Sequence, residues 1–240
     1  MSMTAITAVI LDIEGTTTPI AFVTQVLFPY ARTHLRAYLE AHADEPAHES
    51  LLARLRADVP SSISGSMASV EWLMDRDSKS TALKELQGLI CEEGYRRGEL
   101  VAQVFPDVRP ALERWRARQI GAGIYSSGSV FAQQLLFGHT SDGDLTPLLH
   151  WHFDTRVGAK GDAASYRRIV DTIQQPAASC VFLSDVPREL DAARQAGLQV
   201  RLVIRPGNAP GPGNVLTSFA RATATGGCSA RGMDSSMRPA

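Results

Sequence analysis

The sequence contains few lysines and no excess of charge of either sign. Only three of its 24 basic residues are lysines, Lys79, Lys84 and Lys160, and the net charge is −1. A chain without a basic excess lacks the positive surface that nucleic acids and acidic membranes bind. The sequence therefore predicts neither a nucleic-acid partner nor a membrane partner.

Cysteines and long apolar runs are also scarce. Cys91, Cys180 and Cys228 are widely spaced and form no C-x-x-C pair. This argues against a disulfide framework and against a zinc site, and it favours a reducing compartment. No stretch approaches the roughly 20 apolar residues of a membrane span, and the N-terminus lacks the basic-then-apolar pattern of a signal peptide. We therefore expect a cytoplasmic protein.

The apolar run 8–11 ends in Asp12 and Glu14, which Gly15 and three threonines follow. Such a run, bounded by turn residues, is typical of a buried parallel strand, and ligands bind beyond the carboxyl ends of these strands. Because alternate strand residues share a face, we expect both carboxylates on one side and Ile13 in the core. Two adjacent carboxylates favour a cation such as Mg²⁺. The alternative is an ordinary polar turn.

The rest of the chain divides into an all-helical block and an alternating region. Residues 21–104 carry apolar residues at helical spacing and no strand-like run, which predicts a helical cap domain. Beyond it, strands are expected near residues 121–125, 150–153, 179–183 and 199–204. The alternation predicts an α/β fold, a doubly wound (Rossmann-like) parallel sheet with the cap inserted after the first strand. The predicted core domain comprises residues 1–20 and 105–220, and residues 221–240, poor in large apolar side chains, are predicted to be a disordered tail.

Two helix ends follow from turn-forming residues in the helical block. Asp44, Glu45 and Pro46 are expected to end its first helix, because proline cannot continue a helix. Gly94 and Gly98 are expected to mark the end of its fourth helix.

Polar residues follow three of the predicted strands. They are Asp12 with Glu14, Ser126 with Ser127, and Asp185, and Lys160 lies between the last two in sequence. At one sheet edge they would supply a nucleophilic carboxylate, groups that hold phosphate oxygens, and a metal ligand. Neither G-x-x-x-x-G-K-[ST] nor G-x-G-x-x-G is present, so the pattern predicts phosphoryl transfer without a nucleotide-binding loop.

In this order, the elements resemble the four motifs of the haloacid dehalogenase superfamily of phosphohydrolases, and the helical insert resembles its mobile cap. Residues 12–20 carry Glu14 where most members have a second Asp. Together with several later segments they resemble the enolase-phosphatase family of methionine salvage, and the likeness extends to about Leu202. The later segments are residues 28–30, 83–88, 125–129, 135–140, 143–145, 153–155, 158–160, 165–166 and 182–185.

The resemblance implies a role for each of these polar residues. It implies Asp12 as the nucleophile, with Asp12, Glu14 and Asp185 at a site for one Mg²⁺ per subunit and Glu14 as a general acid or base. It implies that three further residues hold the substrate phosphate, namely Ser126, Ser127 and Lys160. Without the resemblance, the serines would be interpreted as helix N-caps and the lysine as a solvated surface residue.

The implied reaction converts 2,3-diketo-5-methylthiopentyl-1-phosphate into the acireductone 1,2-dihydroxy-3-keto-5-methylthiopentene and phosphate. Enolisation precedes transfer of the phosphoryl group to the aspartate, and the enolisation base is either Glu14 or a residue of the cap. A monomer is implied. Two other functions stay open: a phosphatase of the same superfamily acting on another small phosphate ester, and a phospho-accepting signalling module.

Several residues carry structural expectations instead. Cys91 stands where the family typically has tryptophan, which is expected to loosen packing in the cap. His150 and His152 are expected to lie on one face of a strand edge and not to form a second metal site. Glu189 is expected to be a first-turn helix acid that favours the helix dipole, although it could approach the metal.

Overall fold

The computed structural model describes residues 5–76, 78, 80–209 and 215–223. Within them, five parallel strands form one sheet in the order β3-β2-β1-β4-β5. The strands are β1 (Ala8–Leu11), β2 (Gly121–Tyr125), β3 (Trp151–Phe153), β4 (Cys180–Ser184) and β5 (Gln199–Leu202). This confirms the predicted doubly wound parallel sheet. The strand order reverses beside β1, between β1 and β4, which is where open α/β sheets bind ligands.

Five α-helices lie between β1 and β2 in the sequence. They are α1 (Ile20–Phe22), α2 (Phe28–Ala41), α3 (Pro46–Ala57), α4 (Ser66–Asp75) and α5 (Thr81–Arg96), and a π-helical turn, Val23–Leu27, joins α1 to α2. The boundaries of a separate cap at residues 21 and 104 stay a prediction. One continuous apolar cluster contains Leu35 and Leu86 of these helices together with Val181 of the sheet.

Four further helices cover the two faces of the sheet. They are α6 (Val108–Ala117), α7 (Val130–Gly138), α8 (Ala163–Ile173) and α9 (Pro187–Gln195). In β1, Val9 and Leu11 join the cluster that contains α6 and α7, whereas Ala8 and Ile10 join the cluster that contains α8 and α9. All four side chains are fully buried. The unbroken apolar run of β1 therefore reflects a strand that is covered on both sides.

The two predicted helix ends in the helical block are partly correct. Gly98, with φ = +72°, follows the end of α5, whereas Gly94 lies inside the helix, which continues to Arg96. Position 94 requires glycine because the Tyr30 ring occupies the space that a β-carbon would need, 2.6 Å away. α2 ends at Ala41, and Pro46 begins α3, because proline is well tolerated in a first turn whose N–H groups have no partner in the helix.

The chain after β5 returns to the sheet edge and packs. The backbone N–H of Val203 donates to the Ser184 carbonyl, Phe219 packs on Trp115 with ring centroids 5.9 Å apart, and Ala222 is buried. The first residues of the predicted tail are thus packed, while residues 224–240 lie outside the described residues. Among the helices that the structure describes, none combines the length and the apolar character needed to cross a membrane.

Candidate active site

Asp12 follows β1 directly and is held through both carboxylate oxygens. Its Oδ1 accepts a hydrogen bond from the Ile13 backbone N–H at 2.7 Å and lies 2.6 Å from the Lys160 ammonium. Its Oδ2 lies 3.1 Å from the Ser184 hydroxyl at the end of β4. The side chain is buried, so these contacts hold its oxygens in place at the point where the strand order reverses.

Lys160 lies in the loop between β3 and α8 and contacts a second carboxylate, Glu189 of α9, at 2.7 Å. The Tyr166 hydroxyl donates to the Lys160 carbonyl at 2.8 Å and fixes the main chain there. Burial alone would lower the pKa of Lys160, but the charges of Asp12 and Glu189 outweigh it and raise that pKa above its ordinary value. The ammonium therefore stays charged between two acids.

Ser184 connects the two carboxylates on the other side. Its hydroxyl oxygen lies 3.0 Å from Glu189 Oε2 and accepts a hydrogen bond from the Val186 backbone N–H. A hydroxyl carries one proton, so it donates either to Asp12 or to Glu189 at any moment. Burial, and then the charge of Asp12, raise the pKa of Glu189 above its ordinary value.

Asp185 follows β4 and lies against Gly15. Its carboxylate, together with the Asn208 amide, occupies the space that a β-carbon on Gly15 would fill, and Gly15 has φ = +71°. The Asn208 side-chain N–H₂ donates to the Gly15 carbonyl at 2.8 Å and to Asp185 Oδ2 at 3.3 Å. Burial, and then the negative charge of Asp12, raise the pKa of Asp185 to about 6.

The donor set fits Mg²⁺. Asp12 and Glu189 share one ammonium, Lys160, and the neighbouring Asp185 carboxylate supplies further oxygen donors of the kind that Mg²⁺ prefers. No cluster of three His, Cys, Asp or Glu side chains suited to a metal occurs among the described residues. The predicted ligands Asp12, Glu14 and Asp185 thus form no preassembled cage of three carboxylates. Mg²⁺ needs none, since it commonly takes one or two carboxylates together with waters and substrate phosphate.

The structure places Ser126 and Ser127 at the end of the neighbouring strand, β2. Ser126 is buried, and its hydroxyl accepts a hydrogen bond from the Gly128 backbone N–H at 3.2 Å. Ser127 is exposed. The N-cap of α7 is Ser129, whose hydroxyl accepts from the Ala132 N–H. The two predicted serines therefore immediately precede a helix N-terminus, where backbone N–H groups favour anions.

Glu14 lies in the tight loop that follows Asp12. This loop is closed by a hydrogen bond from the Gly15 N–H to the Thr18 carbonyl at 2.8 Å. Ile13 is buried, as predicted, and the Glu14 side chain is exposed at the same sheet edge. The structure thus brings Asp12 into direct contact with Lys160, whereas it places Glu14, Ser126 and Ser127 on the rim.

Sequence reasoning assigned no role to Ser184 or Asn208, and it anticipated Glu189 only as a first-turn acid that could approach the metal. The position of Ser184 immediately before Asp185 could have placed it in the site. The position of Glu189, four residues or about one helical turn beyond Asp185, could have done the same, yet its contact with Lys160 was not predicted. For Asn208 the sequence indicated only a turn, from the preceding Pro206 and Gly207.

The two histidines of the third strand region have structural roles. β3 begins at Trp151, so His150 precedes the strand, and His152 Nδ1 lies 3.2 Å from the Gln133 side-chain oxygen. Cys91 is buried in α5, with its sulfur 3.9 Å from the Leu27 carbonyl of the π-helical turn.

Comparisons with known proteins agree with this geometry. The haloacid dehalogenase-like hydrolase family matches residues 6–197. Enolase-phosphatase E1 of Synechococcus elongatus is 46% identical over 217 residues, which cover 85% of this chain and 91% of that protein. Enolase-phosphatase E1 of Stenotrophomonas maltophilia is 48% identical over 206 residues, covering 85% of this chain and 89% of that protein.

A solved structure shows the same architecture. The UTR4 protein of Saccharomyces cerevisiae superposes with a TM-score of 0.74 at 34% identity, covering 88% of this chain and 96% of that chain. The match covers most of both chains. The chain therefore belongs to the haloacid dehalogenase-like hydrolases and, within them, to the enolase-phosphatase family.

Proposed function

We propose that this chain is a Mg²⁺-dependent enolase-phosphatase of methionine salvage that converts 2,3-diketo-5-methylthiopentyl-1-phosphate into the acireductone and phosphate. The observation that carries the proposal is the buried Asp12 carboxylate, fixed by Lys160 at the point where strand order reverses. The enolase-phosphatase relatives at 46–48% identity support this substrate.

In the phosphatase stage, Asp12 is the nucleophile. One of its carboxylate oxygens attacks phosphorus, the bond from phosphorus to the substrate's C1 oxygen breaks, and water later hydrolyses the aspartyl phosphate. The 2.6 Å contact with Lys160 orients Asp12, and the ammonium is also close enough to neutralise an incoming phosphate. Ser126, Ser127 and the N–H groups at the start of α7 hold the remaining phosphate oxygens.

Glu14 serves as the general acid and base of this stage. Its side chain lies at the exposed rim of the site, two residues beyond the nucleophile. There it can protonate the leaving oxygen and then take a proton from the attacking water. Glutamate reaches one carbon–carbon bond further than the aspartate found in most of the superfamily.

In the enolisation stage, a base removes the proton next to a carbonyl of the diketone. Glu14 or a residue of the helical block supplies that base, while Lys160 and the phosphate-binding groups hold the phosphorylated end in place. Asp12 and Asp185 would hold Mg²⁺, which when bound offsets negative charge on the phosphate and on the dicarbonyl oxygens. Residues 21–104 act as a cap whose closure excludes water from the site.

The test supplies the purified chain with the diketo-phosphate and records the enol absorbance and free phosphate in parallel. Both signals are expected with Mg²⁺, and both are expected to vanish after exhaustive chelation and return when Mg²⁺ is added. A simple phosphate monoester without a carbonyl is the matched control. Equal turnover of that ester would favour a general phosphatase, and full activity after chelation would contradict the metal requirement.

We also infer a monomer that works in the cytoplasm on a small dissolved phosphate ester. Its free cysteines, buried at Cys91 and Cys180, suit a reducing compartment. Gel filtration coupled to light scattering is expected to return a mass near the 25.9 kDa of the chain.

A further inference from the structure

We propose that the turn formed by residues 205–208, called the clamp turn below, orders the catalytic edge, and that its Asn208 is a positioning residue for the metal ligand Asp185. The inference rests on the proposed function, because it assigns Asp185 to the Mg²⁺ site. The clamp turn follows β5, the last strand among the described residues, and lies outside the four motifs of the superfamily.

The clamp turn is a type II β-turn. The Asn208 backbone N–H donates to the Arg205 carbonyl at 3.0 Å, Pro206 occupies the second position, and Gly207 has φ = +93° in the third. Proline presets the φ angle of the second position, and glycine alone adopts the third without strain. The turn therefore holds its two end residues, Arg205 and Asn208, in a defined relation.

Arg205 anchors one end of the clamp turn in the protein interior. Its guanidinium carbon lies 4.6 Å from the Phe105 ring centroid and 4.3 Å from that of Phe219. Its Nε donates to the Thr16 carbonyl at 3.0 Å, and its Nη1 lies 3.0 Å from Asp107. A buried, charge-paired guanidinium between two rings is rigid, so the turn cannot drift relative to the loop that carries Thr16.

Asn208 forms the other end and contacts the site itself. Its amide nitrogen has two hydrogens, and the structure provides two acceptors, the Gly15 carbonyl at 2.8 Å and Asp185 Oδ2 at 3.3 Å. The amide thereby joins the loop after β1 to the loop after β4. Because it is neutral, it orients the Asp185 carboxylate without introducing a cation that would compete with Mg²⁺. Partners of this kind typically change metal affinity by about 10- to 100-fold.

Magnesium binding to the full chain without substrate is the decisive measurement. By titration calorimetry, Asn208→Ala is expected to raise the Mg²⁺ dissociation constant about 10- to 100-fold, while kcat at saturating Mg²⁺ and KM for the phosphate ester stay within a few fold. Gln199→Ala is the matched control. Gln199 begins β5, the strand that the clamp turn follows, and its side-chain amide donates to the Ala178 carbonyl at 2.9 Å, at the opposite end of the strand from Asp185. Its Mg²⁺ affinity is expected to equal that of the wild type.

Asn208→Leu separates a lost hydrogen bond from lost packing, because leucine matches asparagine in size and has no donor. Equal weakening in the leucine and alanine variants supports the positioning role. Wild-type Mg²⁺ affinity in either folded variant, or an equal loss in Gln199→Ala, overturns it. A wild-type chain that binds no Mg²⁺ and releases no phosphate would instead show that the proposed function itself is wrong.

Discussion

The ammonium of Lys160 lies 2.6 Å from Asp12 Oδ1 and 2.7 Å from Glu189 Oε2, so one cation joins the end of the central strand to the first turn of α9. Its side chain is only 12% exposed. In such a site the ammonium both orients the nucleophile and limits the repulsion between two acids. A lysine that could have been a solvated surface residue is therefore central to the site.

Replacing this lysine tests its role. Lys160→Met keeps most of the length and removes the charge, so phosphate release is expected to fall by about 10²- to 10³-fold, as for the loss of other groups that stabilise developing charge. The measurement is phosphate release at saturating Mg²⁺, with circular dichroism to establish folding. Lys84→Met, at an exposed position of α5, is the control. A folded Lys160→Met variant with near wild-type rates would contradict the assignment.

Replacing the nucleophile separates the two chemical stages. Asp12→Asn keeps the shape and one oxygen but is a far poorer nucleophile, so phosphate release is expected to fall by about 10⁴-fold or more. Enolisation needs no bond to Asp12, and some enol absorbance is expected to persist. Stopped-flow absorbance measures enolisation, and a phosphate assay on the same mixture measures phosphate release. Phosphate release near the wild-type rate would refute Asp12 as nucleophile. Loss of both signals with Mg²⁺ still bound would show that Asp12 also serves enolisation.

Two glycines of α5 give a matched pair for stability. A β-carbon at Gly94 would lie 2.6 Å from the Tyr30 ring, whereas at Gly88 it would meet nothing within 4 Å. Gly94→Ala is therefore expected to destabilise the chain by about 1–3 kcal/mol through overpacking. Gly88→Ala is expected to stabilise it by up to about 1 kcal/mol through helix propensity. Urea denaturation measures both, and a neutral Gly94→Ala would mean that the Tyr30 ring moves aside at no cost.

His42 makes the stability of the helical block depend on pH. Hydrogen bonds to Glu45 and Glu93, 2.8 and 2.7 Å from its ring nitrogens, raise the pKa of His42 above 6.5. A raised folded-state pKa contributes stability that is fully present below the unfolded value and is lost as pH rises through the folded value. Neighbouring His48 opposes this trend, since burial and then the charge of His42 lower its pKa.

The variant His42→Gln isolates the contribution of this residue. The melting temperature of the wild type is expected to exceed that of the variant most below about pH 6.5, and the difference is expected to shrink as pH rises. Glu93→Gln removes one negative charge beside His42 and keeps an oxygen acceptor, so its melting temperature is also expected to fall below that of the wild type, most at low pH. A gap between wild type and His42→Gln that does not change with pH would contradict the assignment.

The sequence by itself determined the strand framework, and its resemblance to a known family supplied the proposed chemistry of the site. An unbroken apolar run such as β1 is buried completely when it lies at the centre of a sheet that is covered on both faces. Asp12 directly follows this run and therefore lies at its carboxyl end. Local periodicity likewise located β2, β4 and β5 to within one or two residues, and the resemblance to phosphohydrolases assigned Asp12, Lys160 and Asp185. These features depend on residues close together in the chain.

Only the tertiary structure decided which side chains meet. Ser184 contacts Asp12 across 172 residues of chain, and Glu189 and Asn208 reach the site because β4 lies beside β1 and β5 lies beside β4. Glycine stands inside α5 at position 94, despite its low helix propensity, because the Tyr30 ring from another helix occupies the space that a β-carbon would need. Local sequence patterns encode the hydrophobic periodicity and the ends of helices and strands. The order of the strands in the sheet and the packing of helices against each other depend instead on the burial of apolar surface over the whole chain. The residues that support the catalytic ones were therefore set by packing.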